Sequence, residues 1–239
     1  MKTHAIYLED SYTKEMDANV LEVYPEGEKR WRVILELTVF YPMGGVQPTD
    51  QGTLTAEGWS GKVYMVMMKD GEIGHFVESD TPPTVGTTVH GVIDWTRRYQ
   101  NMRVHSAGHV VDLAMYGLSY SPKTLVPMKG DHGKKPYIVY QGVLGKDIRQ
   151  ELEEKSNELV AKAINLTTAF VPFDELQKDA IYLQPGLPTN KPLRKLTLEG
   201  VGSVADGGTQ VKNTSEVGNI TIPQVSEENG NTVVVYRIE

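Results

Sequence analysis

The sequence predicts an α+β protein in which a small β-barrel comes first and a mixed α and β portion follows. Residues 1–93 contain short alternating or β-branched runs between Gly- and Pro-rich turns, a pattern typical of small barrels. From residue 94 onward, stretches with apolar side chains three and four positions apart occur among short apolar runs, which favours helices mixed with strands. We therefore predict a domain boundary after residue 93, giving domains 1–93 and 94–239.

The barrel strands are predicted from alternation and from the turns between them. The segments expected to form strands are 18–24, 31–37, 62–68, 73–77 and 89–94. Within the barrel portion, a Phe-Tyr-Pro motif is followed by Gly44 and Gly45. A Gly pair lets backbone N–H groups approach a ligand, or it forms a tight turn, which is the commoner reason for such a pair.

The first predicted helix covers residues 97–115 and contains two histidines. His105 and His109 are four residues apart, so their side chains leave the same face of the helix. Two imidazoles at this spacing could hold one metal ion, although such pairs also arise by chance. A zincin interpretation is excluded, because that motif places Glu after the first His and this chain has Ser106.

The rest of the chain supplies further helices and strands. A strand is predicted at 136–140, a long helix at 146–164, a brief helix at 174–180, and strands at 195–199 and 232–238. The long helix has one apolar stripe and the pairs Glu151–Lys155 and Glu158–Lys162 at favourable i,i+4 spacing. These features predict a structural helix with a solvated charged face.

Composition limits the classes of function. The net charge of −7 argues against indiscriminate nucleic-acid binding, yet it is compatible with a local basic patch. The chain has no Cys, so a metal site would need nitrogen and oxygen ligands. No apolar run approaches the ~20 residues of a membrane span, and the start lacks a signal-peptide pattern. We expect a cytoplasmic protein with no membrane partner. Three groups of basic residues are candidates for the patch: Arg97, Arg98 and Arg103; Lys129, Lys134 and Lys135; and Lys191, Arg194 and Lys195.

Four collinear motifs together resemble a known family. Residues 38–52 carry Phe-Tyr-Pro-x-Gly-Gly-x-Gln, and residues 94–109 carry Arg-Arg, Met and His-x-x-x-His. Residues 185–194 contain Pro-Gly-Leu-Pro and Lys-Pro-Leu-Arg, and residues 207–218 contain Gly-Gly-Thr and Asn-Thr-Ser-Glu-Val-Gly. Their order and spacing resemble the AlaX trans-editing proteins and the editing domain of alanyl-tRNA synthetase over nearly the whole chain.

The resemblance implies both a fold and an activity. The fold would be a small N-terminal β-barrel followed by an α/β two-layer sandwich editing domain. The activity would be hydrolysis in trans of the ester bond of mischarged Ser-tRNA(Ala), and sometimes Gly-tRNA(Ala). The partner would be aminoacylated tRNA, and ATP is not expected as a ligand.

The resemblance also implies a metal site, from which this chain departs. In the family, zinc is held by the His-x-x-x-His helix and by a late Cys-x-x-x-His motif. The matching positions are His105, His109, Asp206 and Gln210. Asp is a competent zinc ligand, whereas a Gln amide is a poor one and could instead hydrogen-bond a water or the substrate. Zinc at reduced affinity, a harder metal such as manganese, and a metal-free site all remain open.

Further site residues follow from the same motifs. Gln47 matches the Gln that the family places at the editing site, and Thr38 is the motif hydroxyl expected to contribute to catalysis. The expected substrate-binding residues are Gly44, Gly45, Thr124 and Arg98. Val46 departs from the family, which usually has a third Gly there.

The altered ligand positions leave two alternatives to a deacylase. One is a degenerate relative that binds tRNA without hydrolysing it, which the acidic net charge also favours. The other is a metal-dependent hydrolase of a small ester or amide.

Overall fold

Residues 3–43 and 46–239 are described by a computed structural model, and they form the predicted α+β fold. Contacts divide the chain into a barrel unit, Met1–Asn101, and a second unit, Met102–Glu239. This division follows residue 101, whereas the sequence predicts a boundary after residue 93; that boundary stays a prediction. None of the described helices combines the length and the apolar character needed to span a bilayer.

The barrel unit is a closed antiparallel barrel, as predicted. Its strands are β2 (Glu15–Gly27), β3 (Arg30–Leu35), β5 (Gly52–Ala56), β6 (Trp59–Lys69), β7 (Glu72–Glu78) and β8 (Thr88–Ile93), in the order β2-β3-β7-β6-β5-β8. Two short strands, β1 (His4–Ala5) and β4 (Leu37–Thr38), form a separate parallel pair. The predicted strands match β2, β3, β6, β7 and β8, and β5 was not predicted.

The barrel interior is filled by alternate strand residues. Along β2, Met16, Ala18 and Val20 are buried while the residues between them are exposed, as the two-residue period of a strand requires. They join one apolar cluster with residues of the other strands, including Val33, Leu35, Leu54, Val63, Val66, Ile73, Val77, Val89 and Ile93.

A buried ion pair connects separate segments of the barrel unit. Arg98 is fully buried, and its Nε donates to Asp50 Oδ2 at 2.9 Å. Its remaining nitrogens donate to Asp50 and to the backbone carbonyls of Ser11 and Val39. The same Asp50 oxygen accepts from the backbone N–H of Tyr41 at 2.7 Å. The pair therefore links the loop after β4 to the segment that follows β8.

The second unit contains two antiparallel sheets and further helices. Helix α1 (Trp95–Gly117) starts just after β8 ends, as predicted. One sheet has the order β14 (Ile220–Glu228), β15 (Asn231–Ile238), β10 (Tyr137–Gln141) and β9 (Val126–Asp131). The other has the order β11 (Leu166–Val171), β12 (Leu193–Leu198) and β13 (Gly202–Ala205). Helix α2 (Arg149–Ala161) packs against β14, and α3 (Phe173–Asp179) packs against β12 and β13.

The Arg98–Asp50 pair makes a testable contribution to stability. We expect Arg98→Ala to lower the free energy of unfolding by about 3–5 kcal/mol, because it leaves a buried carboxylate without its cation. Urea unfolding followed by tryptophan fluorescence measures this loss. Arg149→Ala, which removes an exposed pair with Asp147, is the matched control and should change stability little. A similar small effect from both substitutions would contradict the structural role of Arg98.

Candidate metal centre

The two histidines of α1 lie side by side in the second unit. Their ring centroids are 5.0 Å apart and the rings are nearly parallel. His105 is buried and His109 is only slightly exposed. The apolar side of the helix is buried as predicted, through Met102, Ala107, Val110, Val111, Ala114 and Met115. Helical spacing and burial of this apolar face therefore hold both imidazoles in one place.

Asp206 meets both histidines. Its Oδ1 lies 3.3 Å from His105 Nε2 and 3.5 Å from His109 Nε2. Its Oδ2 accepts hydrogen bonds from Gln210 Nε2 at 2.9 Å and from the Gly208 backbone N–H at 3.1 Å. Arg194 Nη1 lies 3.4 Å from the same oxygen. One carboxylate oxygen is thus satisfied by the protein, and the other faces the imidazoles.

Gln210 supports Asp206 in this arrangement. While its Nε2 donates to Asp206, its Oε1 accepts a hydrogen bond of 2.6 Å from the Ser106 hydroxyl. Ser106 in turn accepts from the backbone N–H of Val211 at 3.1 Å. The oxygen with which Gln210 could bind a metal is therefore engaged by Ser106. A direct ligand role for Gln210 stays a prediction.

The three donor groups fit one metal ion. Ligand atoms of His105, His109 and Asp206 all lie within 4.8 Å of one another. Ligands about 2.0–2.1 Å from a tetrahedral zinc ion lie roughly 3.3–3.5 Å apart, which matches the distances of 3.3 and 3.5 Å from Asp206 Oδ1 to the two imidazole nitrogens. His109 Nε2 is buried and has no hydrogen-bond partner in the part of the chain described, a costly state for a polar atom. Three protein ligands with an open fourth position are typical of catalytic zinc sites.

Burial and the nearby charges set the protonation of the three groups. Burial lowers the pKa of His105, favouring the neutral ring that a metal requires. Burial also opposes protonation of His109, but the Asp206 carboxylate 3.5 Å away outweighs this effect and raises the pKa of His109. Although burial acts in the opposite direction, the two imidazoles hold the pKa of Asp206 well below its usual range. Asp206 is therefore ionised, and metal binding at His109 would release a proton.

A third histidine, which the sequence interpretation missed, packs against the centre. His132 is buried and stacks on His105 with ring centroids 4.5 Å apart. Its Nδ1 is hydrogen-bonded to the Tyr236 hydroxyl, which donates its single proton to the Val104 carbonyl at 3.0 Å. Nδ1 must therefore carry a proton, leaving a lone pair on Nε2. Burial lowers the pKa of His132 to about 2, so this ring is neutral at physiological pH.

The predicted catalytic residues Thr38 and Gln47 belong to the barrel unit. Thr38 is fully buried; its hydroxyl bonds His75 Nε2 at 2.8 Å and accepts from the Phe40 N–H at 3.0 Å. His75 Nδ1 donates to the Val33 carbonyl, so Nε2 must accept the Thr38 proton. This engagement argues against a hydroxyl free to select a substrate. Gln47 is also buried, and its role stays a prediction.

The predicted substrate-binding residues have different environments. Arg98 is enclosed by its bonds to Asp50 and backbone carbonyls, which argues against a substrate contact. Thr124 is exposed, so its predicted role stays open. Gly44 and Gly45 lie outside the described residues.

The predicted basic groups also differ from one another. Arg97 and Arg103 donate to backbone carbonyls, and Arg194 is buried beside Asp206. In contrast, Lys129, Lys134 and Lys135 are exposed around the β9–β10 connection. Of the three groups, this lysine group best fits a surface that contacts phosphates.

Comparison with known proteins finds similarity to alanyl-tRNA editing proteins and to part of an alanine–tRNA ligase. Residues 6–97 match the family profile described as "tRNA synthetases class II (A)". The chain is 34% identical over 240 residues to the alanyl-tRNA editing protein AlaX-M of Saccharolobus solfataricus, covering 98% of both chains. It is 32% identical over 229 residues to AlaX-M of Methanosarcina barkeri, covering 92% of each. The alanine–tRNA ligase of Thermococcus kodakarensis is 33% identical over 224 residues, but the match covers only 24% of the ligase.

The ligand assignment predicts how zinc affinity responds to substitution. We expect Asp206→Cys combined with Gln210→His to tighten zinc binding, because a thiolate and a third imidazole would join the histidine pair. Asp206→Asn should weaken binding at least about tenfold, since even supporting residues of metal sites contribute that much. Competition with a chromophoric chelator measures both changes. Asp174→Asn, at an exposed position of α3, is the control, and unchanged affinity in the Asp206 variants would contradict the assignment.

Proposed function

Because the chain belongs to the AlaX family of alanyl-tRNA editing proteins, we propose that it is an aminoacyl-tRNA hydrolase that removes serine wrongly attached to alanine tRNA. It would act in trans, with glycine as a further target. Similarity to AlaX-M over 98% of both chains supports the assignment to aminoacyl-tRNA deacylation. The observation that carries the proposal is the approach of Asp206 to His105 and His109, since it completes a three-ligand set despite the replaced Cys and His.

The residues of the centre have separate tasks in ester hydrolysis. A divalent ion held by His105, His109 and Asp206 would supply Lewis-acid chemistry and lower the pKa of water toward ~7. Arg194 and Gln210 fix the position of the Asp206 carboxylate. Burial lowers the pKa of His105 and so favours the neutral ring, the form in which an imidazole nitrogen can act as a metal ligand. Zinc is our first choice of metal, and manganese would also suit a centre without sulfur ligands.

Selectivity would depend on the hydroxyl of the seryl group. A site that hydrogen-bonds this hydroxyl discriminates against alanine, because the alanyl ester leaves a polar group unpaired. Thr38 and Thr124 are the two hydroxyl side chains among the site residues that the motifs indicate. The buried environment of Thr38 makes Thr124 the more accessible of the two. Exposed lysines around residues 129–135 would meet tRNA phosphates, so binding should weaken as salt increases.

The central test is deacylation of charged alanine tRNA. We expect Ser-tRNA(Ala) to be hydrolysed much faster than Ala-tRNA(Ala). The ratio would reach roughly 10⁴–10⁵-fold if the alanyl ester leaves a buried polar group of the site without its hydrogen bond. His105→Ala should abolish turnover, because it removes a metal ligand. Release of labelled amino acid measures both rates, and His90→Ala, an exposed histidine of the barrel unit, is the control.

Two experimental outcomes would contradict this proposal, and each would support a different function. A protein that binds charged tRNA yet leaves every aminoacyl ester intact with zinc or manganese present would be a degenerate tRNA-binding relative. A protein that neither binds nor deacylates charged tRNA, but cleaves small esters or amides when a metal is added, would be a metal-dependent hydrolase of small substrates.

Gln47 allows a separate prediction. We place this residue beside the substrate and outside the metal ligands, so Gln47→Ala should slow turnover at least about tenfold, as loss of one hydrogen bond to a charged group would. Zinc content, measured by elemental analysis after dialysis, should stay unchanged. Loss of zinc in this variant would contradict the placement.

A further inference from the structure

A small cavity borders His109 in the second unit. Its volume is about 50 Å³, and its wall is mainly apolar, with Leu113, Pro127, Leu198 and Val204 among the lining residues. A water-sized group occupies about 10–15 Å³ on this measure, so the cavity accommodates roughly three to five non-hydrogen atoms. It is large enough for an amino group, an α-carbon and a short side chain, and too small for a large one.

One carboxylate reaches this cavity. Asp112 lies almost one helical turn after His109 on α1, and among the lining residues it alone is acidic. Its Oδ1 accepts a hydrogen bond from the Tyr140 hydroxyl. Its Oδ2 receives no hydrogen bond from any residue that the structure describes. Asp112 is half-buried, so this oxygen is neither satisfied by the protein nor fully solvated.

The missing partner should be a cation. A carboxylate removed from water is costly unless a positive group compensates for its charge, and burial accordingly raises the pKa of Asp112. His109 also lines the cavity, but as a ligand of the proposed metal centre it would be neutral, and Arg194 and the exposed lysines do not line the cavity. A small ammonium group entering from the metal centre would satisfy Oδ2 and form a charge-assisted hydrogen bond.

The substrates of the proposed function carry such a group. Every aminoacyl ester has an α-amino group close to the carbonyl that is attacked, and much of it is protonated near neutral pH. Ser121, also on the cavity wall, has a hydroxyl that makes no hydrogen bond with the described residues. The cavity thus offers a negative group, a hydroxyl and apolar surface to a small, positively charged aminoacyl group.

We propose that Asp112 binds the α-ammonium group of the aminoacyl ester, so that the enzyme requires a small amino acid with a free amino group. The inference rests on the proposed function, because it assigns a substrate contact within the same site. Esters with a blocked amino group, such as N-acylated aminoacyl-tRNA, are therefore rejected. Asp112 discriminates by charge, and it does so independently of the hydroxyl that distinguishes serine from alanine.

The first experiment compares Ser-tRNA(Ala) with the same tRNA carrying the hydroxy-acid ester of glyceric acid, in which a hydroxyl replaces the amino group. We expect the native protein to prefer the amino ester by roughly 10–100-fold in kcat/KM, the range for loss of one hydrogen bond to a charged group. Asp112→Asn should reduce this preference to within about threefold. Asp174→Asn makes the same chemical change at an exposed position and should retain the preference.

Direct binding provides a measurement that does not depend on turnover. Calorimetry measures the dissociation constants of 3′-(L-serylamino)-3′-deoxyadenosine and of its deaminated counterpart. We expect the amino compound to bind at least about tenfold more tightly. Tyr140→Phe keeps the carboxylate and should retain this preference, whereas Asp112→Asn should lose it. Because the native protein itself is compared with two ligands, poor folding of a variant does not prevent the test.

The outcomes separate this inference from the proposed function. Hydrolysis of both esters at equal rates, together with equal binding of the two nucleosides, would overturn the role of Asp112 while leaving deacylation established. Amino-dependent binding in a protein that hydrolyses no ester would support Asp112 and overturn the proposed function.

Discussion

The candidate centre depends on the unequal surroundings of the two oxygens of Asp206. Oδ2 is fixed by Gln210, Gly208 and Arg194, so the carboxylate cannot rotate freely. Oδ1 therefore faces His105 and His109, which the helical period has already placed together. Through Ser106, the hydrogen-bonded chain that holds Asp206 also anchors the loop to α1. The same hydrogen bonds therefore fix the position of the Asp206 carboxylate and direct its negative charge at the two histidines.

The barrel unit uses a buried carboxylate for a different purpose. Asp50 Oδ2 accepts from Arg98 and Tyr41, whereas its Oδ1 is buried without a hydrogen bond from the described residues. No histidine pair faces that oxygen, and the charge is compensated by a guanidinium that also bonds two backbone carbonyls. Asp50 therefore serves the packing of the barrel unit, whereas Asp206 directs one oxygen at the histidine pair.

The elements and ligands that depend on local pattern were the ones that sequence could predict. Helix α1, most of the barrel strands and the pairing of His105 with His109 follow from period and spacing. The family resemblance supplied Asp206. His132 could not be predicted, because a single His in a hairpin connection has no periodic signal and its stacking depends on tertiary folding. The burial of Arg98 could not be predicted for a similar reason, since sequence does not reveal that Asp50 provides a buried partner.

The contact between His132 and Tyr236 affects the order in which the protein matures. Tyr236 lies on β15 and bonds both His132 and the Val104 carbonyl, 132 positions earlier in the chain. At about 5–20 residues per second, the ribosome needs roughly 7–26 seconds to add that interval. During this time α1 exists without the strand that fixes the ring beside His105. A metal ion that bound at the candidate centre during this interval would meet His105 before the packing of His132 against it is complete.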